Sequence, residues 1–228
     1  MTKPIIAIDG PTGSGKTTVS KSLARILNYT YMDTGAMYRV LALEVKNRKI
    51  NPDNDELLRE TCEKCDFNFE EGRNGQKVFL SGNDVTEDIR IPEISLLASK
   101  ISAKKVVRDT LLILQRKLGE SGGVVVEGRD IGTVVFPHAD IKFFLEANPE
   151  VRAKRRFKEL REKGIQVTYD ETLIELNKRD IQDSNRELAP LKPAPDAIVI
   201  DSSNLQIEKV IDYMLNVVSK KINFERRF

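Results

Sequence analysis

The sequence predicts an α/β fold in which a parallel sheet is covered by helices on both faces. Three observations predict it. Short apolar runs of buried-strand type alternate along the chain with stretches of helical period. The first of these runs leads straight into a glycine-rich loop and a helix. One segment, 51–92, departs from the alternation with two short strand-like runs and so reads as an insertion into an alternating framework.

Taken in order, Pro4 to Asp9 is a buried-type strand, and Lys16 to Leu27 has helical period with Val19, Leu23, Ala24 and Leu27 apolar. Tyr29 to Met32 is a second strand and Thr34 to Lys46 a second helix. Pro52 marks a turn, Glu56 to Lys64 is helical and polar, and Phe67 to Glu70 faces Lys77 to Leu80 across Gly72-Arg73-Asn74-Gly75, where an Asn-Gly pair predicts a hairpin. Pro92 to Leu118 reads as two helices broken near Ser102 to Lys105. Val124 to Glu127 and Ile141 to Leu145 are strands. Asn148-Pro149 predicts an N-cap with proline at the first helical position, for a helix that stops at Gly164. A further helix starts at Thr168 or Asp170 and runs to about Arg186; Ala197 to Ile200 is the last strand and Leu205 to Lys220 the last helix.

Composition narrows the function. At 228 residues the chain can bury one sizeable core with a smaller appended unit. With 40% hydrophobic and 32% charged residues but a net charge of only +2, it is a globular protein and not a general polyanion binder, so any basic feature must be local. No apolar run approaches a membrane span and no signal peptide is visible, so the expectation is a cytoplasmic protein. Cys62 and Cys65 form a CxxC, but the single histidine, His138, is distant and the pair sits late in a charged helix; two reduced thiols are expected, not a zinc or redox site.

Gly10-Pro11-Thr12-Gly13-Ser14-Gly15-Lys16-Thr17 fits G-x-x-x-x-G-K-[ST] between a strand and a helix. Glycines let backbone N–H groups wrap a polyphosphate at the positive end of a helix dipole. Lys16 is expected on the β- and γ-phosphates, the Thr17 hydroxyl on Mg²⁺, and Thr18 near the α-phosphate. Asn177-Lys178-Arg179-Asp180 matches the guanine-reading N-K-x-D pattern, but it lies in a helical stretch and no D-x-x-G exists in the chain, so a GTPase is not predicted.

A kinase must hold two anions that repel each other, so arginines are expected beyond the loop. Four clusters fit. Asp33 and Arg39 flank a predicted strand end, with Asp33 suited to orient a hydroxyl or water and Arg39 to hold an acceptor phosphate. Gly128-Arg129-Asp130 follows another strand. Arg179, Asp183 and Arg186, at offsets of four and three, share a helical face suited to a phosphate and a ribose hydroxyl. Arg152, Arg155 and Arg156 share a face of a basic helix suited to close over a triphosphate. Singly, each also reads as surface ion pairs or a solvated face.

The stretches IDGPTGSGKTT (8–18), DTGAMYR (33–39), EGRDIGTVVFP (127–137) and KRDIQDSNRELAPL (178–191) together resemble the bacterial cytidylate kinases, of the nucleoside monophosphate kinase group. That resemblance implies a P-loop core with a five-stranded parallel sheet (1–50 and 93–228, with a short lid at about 150–168) and a β-containing monophosphate-binding insertion at 51–92. It implies transfer of the ATP γ-phosphate to CMP or dCMP with Mg²⁺. Carried over, Gly10 to Thr18 with Arg155 and Arg156 serve ATP. Thr34, Tyr38, Arg39, Arg129, Arg179, Asp183 and Arg186 serve the acceptor phosphate and ribose, and Ser99, Arg108 and Asp130 read cytosine. The catalytic set is Lys16, Asp33, Arg129, Arg179 and Arg186. Competing readings are a kinase for UMP, dTMP or an alcohol on the same core, or an NTP-dependent switch or nucleic-acid binder. A monomer acting on small molecules, without nucleic acid or membrane, is expected.

Overall fold

The computed structural model describes residues 3–72 and 75–225. It divides into two compact units, one formed by Met1–Asp33 with Gly119–Phe228 and the other by Thr34–Leu118.

In the first unit β1 (Lys3–Asp9) leads through the glycine loop into α1 (Lys16–Leu27), which is followed by β2 (Thr30–Asp33). The second unit contains α2 (Thr34–Asn47), α3 (Asp55–Lys64), β3 (Phe67–Gly72), β4 (Gly75–Leu80), β5 (Asn83–Asp84), a 3-10 turn Asp88–Arg90, α4 (Pro92–Ile101) and α5 (Lys105–Gly119), the last helix closing at the unit boundary. The chain then returns to the first unit with β6 (Gly122–Gly128), a π-helical turn Ile131–Val135, β7 (Ile141–Glu146), α6 (Pro149–Glu162), α7 (Tyr169–Asn185), β8 (Ile198–Asp201) and α8 (Ile207–Glu225). The segment 51–92, expected as an insertion, lies inside the second unit together with α2 and the helices that follow it.

The first unit is a five-stranded sheet in the order β2-β6-β1-β7-β8, with every described pairing parallel. Central strands of such a sheet are covered on both faces and are apolar throughout. Ile6, Ala7 and Ile8 of β1 and Val125 and Val126 of β6 accordingly have no exposed surface. On one face α1 contributes Val19 and Leu23, and α8 contributes Val210, Met214 and Val218, a four-residue spacing that places all three on one stripe. Because all strands run one way, their carboxyl ends form one rim. The register sets Asp9 beside Gly128, Asp33 beside Glu127 and Glu146 beside Asp201.

The second unit carries an antiparallel sheet, β3-β4-β5, whose Val78 and Leu80 pack with Ala36, Val40 and Ile89. The hairpin pairs Gly72 with Gly75; its expected turn residues Arg73 and Asn74 lie outside the described residues. The break expected at Ser102 to Lys105 separates α4 from α5. α7 begins at Thr168, one of the two starts the sequence allowed: the Thr168 hydroxyl accepts the Glu171 N–H at 3.2 Å and the Glu171 carboxylate accepts the Thr168 N–H at 2.8 Å, a capping box. Asn148 does not cap α6 with its side chain; the Ser203 hydroxyl accepts its N–H at 2.8 Å instead. Among the described residues no helix is long and apolar enough to cross a membrane.

Two glycines test how tightly the loop is built. Gly10 has φ 149°, and a Cβ there would lie 2.0 Å from the Leu145 carbonyl oxygen on β7. Gly164, which ends α6, has φ 75° with open space around it. Gly10→Ala is expected to cost about 3 kcal/mol or more in urea unfolding, from backbone overlap, and Gly164→Ala only about 1 kcal/mol, from its dihedral alone.

Candidate active site

The glycine loop turns through left-handed dihedrals at Gly13 (φ 76°) and Gly15 (φ 95°), and Gly15 caps α1 without a side chain, leaving the first N–H groups of the helix directed into the loop. The Lys16 ammonium folds back over the loop, donating to the Pro11 carbonyl at 2.6 Å and to the Ser14 hydroxyl at 3.4 Å. It is buried, and desolvation with the Arg129 charge holds its pKa well below that of a free lysine, only partly offset by Glu127 and Asp9. A polyanion would relieve that cost. Thr17 and Thr18 stand exposed in the first turn of α1.

Two buried carboxylates at strand ends support this loop, and neither figured among the site residues expected from sequence. Glu127, the penultimate residue of β6, accepts the Thr17 hydroxyl at 3.1 Å on one oxygen and the Tyr31 phenol on the other. Burial and the neighbouring Asp33 charge raise its pKa. Asp9, the last residue of β1, accepts the Ile131 and Gly132 N–H groups, each at 2.8 Å. Each closes an apolar strand run with an acid (IIAID and VVVE) next to glycine, which was the available signal. Among the described residues no cluster of three His, Cys, Asp or Glu could cage a metal. The chemistry of the donors does fit a magnesium ion delivered with its nucleotide: the Thr17 proton is committed to Glu127, so its oxygen has lone pairs to offer, and Asp33 and Glu127 are register neighbours suited to water-held cations.

The arginines expected on the acceptor side partly rearrange the expected sets. Arg129 donates through Nε to Asp183 at 3.0 Å, through Nη2 to the Thr12 hydroxyl at 2.8 Å and through Nη1 to the Gly128 carbonyl at 3.3 Å. Arg179 reaches Asp183 at 4.0 Å. Arg186 does not share the helical face of Asp183 as an α-helical residue; it lies one position past α7 with extended dihedrals and pairs with Asp130 at 3.3 Å. Asp183 is therefore flanked by Arg129 and Arg179. Burial pushes its pKa up, but the three nearby arginines win and hold it below the ordinary value, so it is an ionised acceptor.

α6 is anchored at its start. Arg152 is buried and donates to the Ala147 carbonyl at 2.8 Å, the Thr12 carbonyl at 3.0 Å and Asp180 at 2.5 Å. The aspartate of the N-K-x-D look-alike is thus the ion-pair partner of this arginine. Arg155 is bonded to the Ser202 hydroxyl at 3.0 Å and carbonyl at 2.7 Å, and Arg156 to Glu159 at 2.8 Å.

In the second unit Thr34 is buried at the first position of α2, with Tyr38 and Arg39 half-buried on the same helix. Ser99 is buried on α4. Arg108 is buried on α5, its guanidinium 6.0 Å from the Tyr38 ring centroid and donating to the Ser102 carbonyl at 3.2 Å. Cys62 and Cys65 are free thiols whose pKa values burial pushes up to about 11 and about 12, far from the thiolate that redox or zinc chemistry requires.

Burial raises the Asp9 pKa from 3.8 to about 6, more than its two backbone N–H bonds lower it. A raised carboxyl holds its proton in the folded chain where the unfolded chain has lost it, so its contribution to stability is greatest below pH 4 and falls as pH rises to 6. The stability of the wild type minus that of Asp9→Asn, from urea titrations between pH 4 and 7, is expected to fall by roughly 3 kcal/mol as pH rises. A difference that grows with pH would mean that Asp9 is ionised comfortably in the fold.

A cytidylate kinase from Geobacter sulfurreducens is 52% identical over 217 residues, covering 95% of this chain and 93% of its own. One from Caldicellulosiruptor saccharolyticus is 49% identical, covering 99% of this chain and all of its own. Among solved structures, an uncharacterized protein from Eubacterium ventriosum superposes with a TM-score of 0.52 at 16% identity, covering 96% of this chain and 99% of that one, which speaks for the fold alone. The family described as cytidylate kinase matches residues 6–220, and the chain belongs to that family.

Proposed function

We propose that this chain transfers the γ-phosphate of ATP to CMP or dCMP, giving ADP and CDP or dCDP. The observation that carries this reading is Arg129, which bonds at once to Thr12 of the phosphate loop and to Asp183 of α7. A guanidinium in that position can face both a donor and an acceptor phosphate, which a simple nucleotide switch does not need.

The acceptor phosphate oxygen is already anionic near neutral pH, so it attacks the γ-phosphorus without a general base, and the bond to the β–γ bridging oxygen breaks. The chain's task is then to hold two polyanions in line and to balance the charge that spreads over the transferred group. Lys16 and the loop N–H groups hold the donor. Arg129, Arg179, Arg186 and Arg39 bind the acceptor phosphate, and Asp183 accepts a ribose hydroxyl. Thr17 would hold a magnesium ion, which would supply Lewis-acid charge neutralisation on the donor phosphates. Asp33 and Glu127 would orient water bound to it, and Arg155 and Arg156 with the 150–168 segment exclude bulk water.

Asp130, Ser99 and Arg108 take the cytosine edge. Cytosine offers an N4 amino donor with N3 and O2 acceptors, which a carboxylate, a hydroxyl and a guanidinium complement. Uracil would set its O4 acceptor against the Asp130 carboxylate, and a mispaired buried group discriminates strongly. Thr34 and Tyr38 line the acceptor beside Arg39.

The test is an ADP-release assay with ATP and Mg²⁺ against CMP, dCMP, UMP, AMP, GMP and dTMP. Turnover is expected with CMP and dCMP, and Asp130→Asn is expected to lower kcat/KM for CMP by about 100-fold with the KM for ATP little changed. Preferential turnover of another monophosphate, or an Asp130→Asn variant with wild-type CMP kinetics, would overturn the base assignment. Absence of turnover with all six would overturn the kinase.

A further inference from the structure

The Thr12 side chain does something its place in the loop does not demand. Loops of this pattern cradle phosphate with backbone N–H groups, and the residue two positions after the first glycine needs no particular side chain for that. Here the Thr12 hydroxyl accepts Nη2 of Arg129 at 2.8 Å, while the Thr12 carbonyl accepts Nη1 of Arg152 at 3.0 Å. Arg152 is itself fixed by Asp180 of α7 and the Ala147 carbonyl, so the residue is gripped from its backbone side.

The three bonds of Arg129 are of different kinds. Gly128 is its chain neighbour, so that bond is local. Asp183 and Thr12 approach from α7 and from the phosphate loop, and together they fix the direction of a rigid planar fork. Without the hydroxyl, the guanidinium keeps its Nε bond to Asp183 and can pivot about it.

We propose that Thr12 is a positioning residue: its hydroxyl seats Arg129 and thereby couples occupancy of the donor loop to affinity for the acceptor phosphate. The inference rests on the reading of Arg129 as an acceptor-phosphate ligand. Donor phosphates that order the loop order Thr12, and an ordered Thr12 presents Arg129. By linkage the acceptor then favours donor binding by the same factor.

The experiment compares Thr12→Val, which keeps shape and β-branching but removes the hydroxyl, with Thr12→Ser, which restores it, each alone and with Arg129→Met. Thr12→Val is expected to raise the KM for CMP at least about tenfold, the effect of losing a charge-assisted hydrogen bond, with the KM for ATP and the Tm little changed. Thr12→Ser is expected to recover most of the loss, and Thr12→Val to add nothing on an Arg129→Met background. In calorimetry, the factor by which a non-hydrolysable ATP analogue tightens CMP is expected to shrink in Thr12→Val. If Arg129→Met itself leaves CMP kinetics unchanged, the acceptor-clamp reading fails and this inference with it. If Arg129→Met impairs CMP use but Thr12→Val does not, or does so equally without Arg129, or impairs ATP to the same degree, the seating role alone is overturned. Should Thr12→Val not fold, Thr12→Ala against Thr12→Ser makes the same comparison.

Discussion

The site gathers positive charge that repels itself, and the rest of the structure is arranged to hold it. Lys16, Arg129, Arg152, Arg179 and Arg186 all belong to the first unit, three of them with side chains less than a tenth exposed. Two unit charges a few ångströms apart repel by several kcal/mol where water is scarce. Each guanidinium is therefore matched to an acid: Arg129 and Arg179 to Asp183, Arg152 to Asp180, Arg186 to Asp130. Glu127 and Asp9 oppose Lys16 at longer range. The pairing contributes little net stability, because desolvation takes most of what Coulomb attraction returns. It fixes direction, which is what a catalyst working by preorganised charge requires.

Direction comes from the sheet. The carboxyl ends of β1, β2 and β6 bring Asp9, Asp33 and Glu127 to one rim, and the residue after β6 is Arg129. A shift in register would disrupt the close packing on both covered faces of these strands, so the rim is as rigid as the core beneath it. Gly10 shows the tolerance: the loop leaves β1 so close to β7 that a single methyl group would overlap the Leu145 carbonyl.

Much of this was legible in the sequence because it is local. The loop motif, the break between α4 and α5, the Gly164 stop and the Thr168 start are each decided within a few residues, and the structure has them there. Partners that lie on different elements were not legible. Arg186 was placed with Asp183 by helical spacing; its charge does act on Asp183, but the helix ends one residue too soon and it pairs directly with Asp130, 56 residues away. Arg152 read, with Arg155 and Arg156, as part of a helical face suited to close over a triphosphate, yet it is buried against Asp180 and the loop. Asp180 itself sat inside a motif that pointed elsewhere. In each case strand order and helix packing decide the pairing, and periodicity carries no information about either.

Asp9 shows why such a residue is kept despite its cost. Its carboxylate is desolvated and near Asp130, and both effects raise its pKa. What it provides is the pair of acceptors for the Ile131 and Gly132 N–H groups, at the point where the chain leaves Arg129 and Asp130 and turns in an uncommon π-helical bend, with the Val134 N–H and Val135 N–H both returning to the Asp130 carbonyl. A neutral side chain with one acceptor oxygen satisfies only one of those two donors, and the other would be left buried without a partner. The acid at the end of β1 therefore shapes the segment that presents both Arg129 and Asp130, and it does so from the residue that immediately precedes the phosphate loop. The phosphate loop and the Arg129–Asp130 segment are thus tied to a single strand end, so that each is built with reference to the other.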